Sequence, residues 1–119
     1  MGLARMIETM KEAPGYRGMG MIASHLGVVR ETSLNGTRVS EVHVAFDQDA
    51  IKEIINDIKH MKGIIQVIVE TYEGRLNVGD EIMAVVVGGD TREHVFPALM
   101  AAVNRIKAEG TSKTEICES

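Results

Sequence analysis

Aromatic residues and cysteine are scarce in this sequence. Its 119 residues include no tryptophan, two tyrosines, two phenylalanines and one cysteine. Few aromatic rings leave little surface on which unpaired nucleobases could stack. The net charge is −4 and no dense Lys/Arg block is present, so the electrostatic attraction of a general nucleic-acid-binding protein is missing as well. The single thiol, Cys117, cannot form an internal disulfide, which favours a reducing compartment. We expect no nucleic-acid partner.

Long apolar runs and common cofactor motifs are also missing. No apolar stretch reaches the length of a membrane span, and the first residues lack the apolar core of a signal peptide. We therefore expect a cytoplasmic protein with no membrane association. No Walker loop, dinucleotide fingerprint or GxSxG motif is present, so no cofactor is indicated. The histidines share no metal-ligand spacing, and no metal site is expected. They are His25, His43, His60 and His94.

What the sequence does contain is aliphatic material at regular spacing. Hydrophobic residues make up 45% of the chain, largely Ile, Val and eight Met, which predicts an adaptable aliphatic core. A chain of this length suits one domain, and we expect residues 1–119 to form it.

Hydrophobic periodicity predicts an α+β fold with antiparallel strands packed against helices. Asn35-Gly36 is the dipeptide that best suits a tight hairpin turn, so the first two strands are expected to pair directly. The residues after Gly110 are polar and are expected to form a tail without regular structure. The predicted helices are 3–12, 47–62 and 91–109, and the predicted strands are 19–30, 38–46, 64–70 and 81–88.

The start of the last helix carries an unusual cluster of charge. Asp90 and Glu93 have the spacing of a capping box, in which each side chain satisfies a free amide of the first turn. Arg92 lies between them, where a cation faces the positive end of the helix dipole. An anion is therefore expected beside Arg92, supplied either by these neighbours or by a ligand. Pro97 predicts that residues 91–96 form a separate, distorted turn.

Three segments together resemble a known family. They are GMGMIASHLGVVR, NGTRV and GRLNVGDEIMAVVVGGDTREHVFPALMAAVNRIK. In this order they resemble the large, catalytic subunit of molybdopterin synthase, and the similarity covers almost the whole chain. LGVVR and GRLNVGDEIMAVVV are the most specific matches. The resemblance implies an α+β hammerhead-type fold and a central homodimer.

The resemblance also implies an activity and partners. In that family, a ubiquitin-like sulfur-carrier small subunit binds at each end of the dimer, giving a heterotetramer. Its C-terminal Gly-Gly thiocarboxylate enters the active site. Two sulfurs are transferred to cyclic pyranopterin monophosphate, which yields the dithiolene of molybdopterin. The implied role is thus sulfur transfer in molybdenum cofactor biosynthesis.

Five residues of this sequence match the family's functional positions. Lys107 and Lys113 are the implied catalytic residues, and Arg30, Arg92 and Thr91 are the implied substrate-binding residues. Arg92 and Lys107 are fifteen positions apart, which corresponds to about 22 Å along one helix. One pterin cannot contact both side chains of the same chain. The predicted site therefore combines Lys107 and Lys113 of one protomer with Arg92 of its twin.

Two alternatives remain open at the level of the sequence. Thr91 and the Thr71-Tyr72 pair stand where the family has histidines. The absence of those histidines favours a noncatalytic dimeric homologue that binds a pterin phosphate or the small subunit without chemistry. The element order between residues 38 and 109 also suits a ferredoxin-like oligomer, an architecture that predicts no particular site.

Overall fold

Three α-helices and six β-strands form within residues 2–117, the part of the chain that the computed structural model describes. A single 3-10 turn, Tyr16–Gly18, follows the first helix. The architecture is α+β with antiparallel sheets packed against helices, as predicted. The elements in chain order are α1 (Leu3–Met10), β1 (Met21–Val28), β2 (Val39–Phe46), α2 (Gln48–Lys59), β3 (Ile64–Thr71), β4 (Gly74–Asn77), β5 (Glu81–Gly89), α3 (Arg92–Glu109) and β6 (Thr111–Cys117).

The strands form two three-stranded antiparallel sheets, ordered β1-β5-β3 and β4-β2-β6. Among these six strands, none pairs with the next one along the chain. The predicted hairpin between β1 and β2 is therefore wrong, because the two strands belong to different sheets. The Asn35-Gly36 turn itself is present, with Gly36 at a φ of +86°. It closes only a short loop, in which Thr32 and Arg38 form an isolated bridge.

β5 is the centre of the first sheet and is covered on both faces. Residues Met83–Val87 are fully or almost fully buried. Val85 and Val87 pack with α2 and α3, whereas Ala84 and Val86 pack against α1. This alternation explains the uninterrupted apolar sequence of the strand, since neither face meets water.

α2 has both the start and the buried face that the sequence predicts. The Asp47 carboxylate accepts hydrogen bonds from the amides of Asp49 and Ala50, at 3.1 Å each, and so caps the helix. Ile51, Ile54 and Ile58 recur at helical spacing and are buried.

Replacing Asp47 with alanine is expected to lower the free energy of unfolding by about 1 kcal/mol, because two amides of the first turn lose their acceptor. Urea denaturation followed by circular dichroism measures this change. Asp49→Asn is the matched control, since Asp49 lies in the same turn without capping it. An equal loss in both variants would contradict the capping role.

α3 is continuous from Arg92 to Glu109, and Pro97 lies inside it. The predicted break at residues 91–96 is therefore wrong. Regular helical hydrogen bonding is present before the proline, because the amide of Val95 donates to the carbonyl of Thr91 at 2.9 Å. Val95 and Ala98 are completely buried on either side of the proline. Their packing offsets the single backbone hydrogen bond that proline removes.

Residues after Gly110 form β6 rather than an irregular tail, so that prediction is also wrong. β6 pairs antiparallel with β2, and Lys113 lies opposite Val44. β2 lies between β4 and β6, so its backbone groups find partners on both sides. The side chains of β6 are mostly exposed, which explains why the segment reads as polar. The last two residues of the predicted tail, 118 and 119, lie outside the described residues.

No helix within residues 2–117 is both long enough and apolar enough to cross a membrane.

Candidate functional site

An open cleft of about 830 Å³ lies where the end of β1 meets the last turn of α3 and the strand β6. Arg30, Lys107 and Lys113 line it, and we call it the basic cleft. Three of the five residues predicted from the sequence are thus neighbours of one cavity, although they are up to 83 positions apart in the chain. Among the lining residues, Glu115 carries the negative charge that partly offsets these cations.

A different element positions each of the three cations. Arg30 follows the end of β1, and its Nε donates a hydrogen bond of 3.2 Å to the carbonyl of Thr32. Lys107 is exposed in the last turn of α3, where the helix dipole favours a positive charge. Lys113 projects from β6, whose pairing with β2 brings it back to the end of α3.

The cleft also has apolar walls. Val29 and Val42 are buried members of a small aliphatic cluster, and Ile82 and Phe46 pack against it. All four line the cleft beside the cations. An apolar surface with a few converging charges is typical of a small-molecule site. This combination suits a small ligand that carries an anionic group beside an apolar part.

His25 is a cleft residue that our sequence reasoning did not single out. Its Nε2 atom is buried, with no hydrogen-bond partner in the described part of the protein. Burial lowers the pKa of His25 below its ordinary value, and the positive charge of Lys107 lowers it further. A signal was present in the sequence, because His25 follows Met21 and Ala23 on the inward-facing side of β1.

The protein is expected to lose stability as the pH falls below 6.5, the ordinary pKa of histidine. In that range the unfolded chain is more protonated at His25 than the folded protein, so acid favours unfolding. Above pH 6.5 His25 is largely neutral in both states, and the stability is no longer reduced by this group. Urea denaturation at a series of pH values measures the effect. His25→Gln should show a shallower decline than His43→Gln, and identical declines would contradict the assignment.

Arg92 and Thr91 do not reach the basic cleft of their own chain. They lie at the start of α3, and Lys107 lies in its last turn. The rise of an α-helix separates Arg92 from Lys107 by about 22 Å. The Arg92 side chain is exposed, with its Nε 3.6 Å from the carboxylate of Glu93. The anion beside Arg92 within one chain is therefore the neighbouring Glu93, one of the candidates that the sequence offers.

Asp90 and Glu93 do not form the predicted capping box. Thr91 is the N-cap residue, and its side chain makes no capping hydrogen bond. Asp90 Oδ1 instead accepts from the Thr91 amide at 2.6 Å and lies 2.8 Å from His94 Nδ1. The hydrogen bond with His94 is the main cause of the lowered pKa of Asp90. The Asp90 carboxylate is thus bound by the adjacent Thr91 amide and by the His94 ring.

Other ionisable groups supply no metal centre in the described part of the chain. Within residues 2–117, no group of three or more His, Cys, Asp or Glu side chains is placed to hold a metal ion. Cys117 is exposed at the end of β6 and lies at the wall of the basic cleft.

Comparison with protein families gives one match of long extent. The family model described as MoaE protein matches residues 3–109. A search of curated proteins finds no match.

Several solved structures share the fold at low sequence identity. Molybdopterin synthase from Staphylococcus aureus superimposes with a TM-score of 0.81 and 20% identity, covering 100% of this chain and 87% of the other. The MoaE protein from Burkholderia ambifaria gives a TM-score of 0.77 and 19% identity, with 99% and 81% covered. A complex of subunits 1 and 2 of the molybdopterin-converting factor from Helicobacter pylori gives 0.66 and 15%, with 99% and 80% covered.

Proposed function

The chain belongs to the MoaE protein family, and on that premise we propose that it is the large subunit of a molybdopterin synthase. Its activity would be sulfur transfer from a thiocarboxylated ubiquitin-like small subunit to cyclic pyranopterin monophosphate. The observation that carries the proposal is the convergence of Arg30, Lys107 and Lys113 on one cleft. The cytoplasm is the expected location, because the pathway and the lone cysteine both suit a reducing compartment.

Binding of the substrate phosphate is assigned to Arg30. A guanidinium group presents paired donors that suit two phosphate oxygens, and charge-assisted hydrogen bonds are stronger than neutral ones. Arg30 is exposed and donates from Nε to the Thr32 carbonyl, so the two terminal nitrogens of its guanidinium are available to a phosphate. The apolar wall around Val42 and Phe46 then supports the fused rings of the pterin.

The chemical step is assigned to Lys107, with Lys113 assisting. An ammonium group beside the reacting carbon can stabilise a developing oxyanion or exchange a proton with the leaving oxygen. In each transfer the thiocarboxylate sulfur forms a bond to a substrate carbon, and the C–O bond of that carbon breaks with oxygen as the leaving group. A water molecule then hydrolyses the bond between the sulfur and the acyl carbon of the carrier, which leaves as a carboxylate. Neither oxidation nor reduction of the protein is required.

The small subunit is expected to approach through the mouth of the basic cleft. Leu34 and Val28 line this mouth and expose 96% and 46% of their surface. The Helicobacter pylori relative of this fold is a complex of two subunits. We propose the corresponding partner here, with its C-terminal thiocarboxylate reaching Lys107 between these apolar side chains.

A second protomer is proposed to complete the site. Arg92 and Thr91 lie about 22 Å from Lys107 along α3, so they can contact the same pterin only from the other chain of a homodimer. Arg92 would then exchange its exposed ion pair with Glu93 for the substrate phosphate.

The decisive experiment mixes the purified protein with the thiocarboxylated small subunit and cyclic pyranopterin monophosphate. We expect formation of the dithiolene, detected by mass spectrometry of the product. Binding of the pterin is measured in parallel by calorimetry. No binding and no product would contradict the proposed function.

A noncatalytic homologue is the second candidate, and one observation favours it. Thr91 replaces a titratable residue of the family, and Arg92 is already paired with Glu93. Such a protein would bind the pterin phosphate or the small subunit without transferring sulfur. Tight binding with no dithiolene, under conditions where a known synthase forms it, would favour this candidate.

A further inference from the structure

His25 is the cleft residue whose surroundings the proposed function does not yet explain. It lies on β1 with its Nε2 buried and without a hydrogen-bond partner in residues 2–117. Buried polar atoms are normally paired, so an unpaired one in a cavity wall requires an explanation. Its cavity is the one that Arg30, Lys107 and Lys113 line.

We propose that His25 is a further ligand-binding residue of the basic cleft, and that it takes up a proton when a phosphate group binds there. The proton forms an N–H bond at Nε2, and this new donor makes a hydrogen bond to a phosphate oxygen. The inference rests on the proposed function only for the choice of a phosphorylated ligand.

The charges around the ring explain why the proton arrives with the ligand. Burial and the charge of Lys107 both disfavour the protonated imidazole in the free protein. A bound phosphate offsets that charge and offers an acceptor, so both causes of the lowered pKa weaken. The β5 segment beside His25, residues 83–85, has no titratable side chain. The ionisable groups facing the cleft from the other elements are Arg30, Lys107, Lys113, Glu115 and Cys117.

Gly27 lies beside the ring, and because Nε2 is buried in the free protein, a ligand oxygen reaches this atom only after the ring turns toward the cleft. Gly27 also lines the cleft, and a methyl group at its position would lie 3.4 Å from His25 Nε2. Any larger side chain at this position would cover the atom from the same direction. Met83 Cγ and the Met83 carbonyl oxygen would each lie 3.8 Å from that methyl group, which is ordinary van der Waals contact.

Cyclic GMP is a suitable probe of this linkage. It joins a phosphodiester to a fused heterocycle, and the phosphodiester keeps its single negative charge across the range where histidine titrates. Among the cleft-lining residues that the structure describes, His25 is the one whose ordinary pKa lies near neutrality. A change in affinity between about pH 5.5 and about pH 8 therefore reports on this ring.

The test measures cyclic GMP affinity by calorimetry across this range, in buffers with different ionisation enthalpies. We expect wild-type affinity to rise as the pH falls, by up to about tenfold per unit, with matching proton uptake. His25→Gln should still bind but lose the pH dependence. His43→Gln is the control, because His43 is exposed on β2 and lies outside the cleft. It should behave as wild type.

Nuclear magnetic resonance of the wild-type protein supplies a second measurement that does not depend on a variant. The His25 ring resonances should titrate at a higher pH with cyclic GMP than without it. An unchanged titration, or a pH dependence that persists in His25→Gln, would overturn the role of His25. Binding that Arg30→Ala does not weaken would instead contradict the proposed site, and complete absence of cyclic GMP binding would overturn both.

Discussion

Replacing Lys107 with alanine is expected to reduce dithiolene formation by a factor of about 100 to 10,000, the range over which a positioned acid or base contributes to rate. The lysine is the cation that α3 contributes to the basic cleft. Because its side chain is exposed, the free energy of unfolding should change by less than about 0.5 kcal/mol. Single-turnover assays with the thiocarboxylated small subunit measure the rate, and urea denaturation measures the stability.

Lys59 provides the matched control for this variant. It is the exposed lysine in the last turn of α2, as Lys107 is in the last turn of α3, and it does not line the basic cleft. Lys59→Ala should leave both product formation and stability at wild-type values. Full activity in Lys107→Ala would remove the catalytic assignment. A loss of activity that follows a loss of stability would show that Lys107 acts through the fold.

Local signals in the sequence predicted the elements well but not the partners of the strands. The apolar run of β5 is buried on both faces, Asp47 caps α2, and the isoleucines of α2 form its buried face, as their sequence patterns indicate. The Asn35-Gly36 turn is also present, yet β1 pairs with β5 and β2 pairs with β4 and β6. A turn dipeptide fixes four residues of backbone. The choice of strand partner depends on burial across the whole sheet, which a local motif does not encode.

The errors at β6 and at the start of α3 have related causes. β6 is stabilised by backbone pairing with β2, while most of its side chains face water. Hydrophobic periodicity carries no signal for such a strand. At α3, the sequence spacing pairs Asp90 with the amide of Glu93, whereas in the structure its carboxylate contacts the Thr91 amide and the His94 ring. Sequence spacing alone cannot rank two competing hydrogen bonds of the same carboxylate.

The basic cleft was only partly predictable from the sequence. Arg30, Lys107 and Lys113 were identified through the family resemblance, and the fold brings them to one cavity. Their roles, and those of Arg92 and Thr91, remain predictions. His25 has no metal-ligand spacing to the other histidines, so no motif distinguishes it from a structural residue of a strand face. Its inward position on β1 indicates a role in the cleft only when the structure shows that Lys107 of α3 lies close enough to lower its pKa.

The junction between β5 and α3 depends on Gly89, and replacing it with alanine is expected to lower the free energy of unfolding by about 3 kcal/mol. A methyl group at Gly89 would collide with the carbonyl oxygen of Gly63 and lie 2.8 Å from Val95 Cγ2. That carbonyl cannot retreat easily, because it accepts the amide of Asp90 at 2.9 Å. The melting temperature should fall by about 10 °C for a domain of this size.

Gly88 tests whether backbone crowding, rather than the loss of glycine, causes this effect. A methyl group at Gly88 would contact the side-chain ends of Met19 and Met10, at 2.7 Å and 3.1 Å from their sulfur atoms. Methionine side chains can change rotamer to make room, so Gly88→Ala should cost about 1 kcal/mol. Thermal and urea denaturation of both variants measure the difference. If the two glycines proved equally sensitive, the Gly63 carbonyl would not be the contact that keeps Gly89 free of a side chain, and the tight turn from β5 into α3 would need another cause.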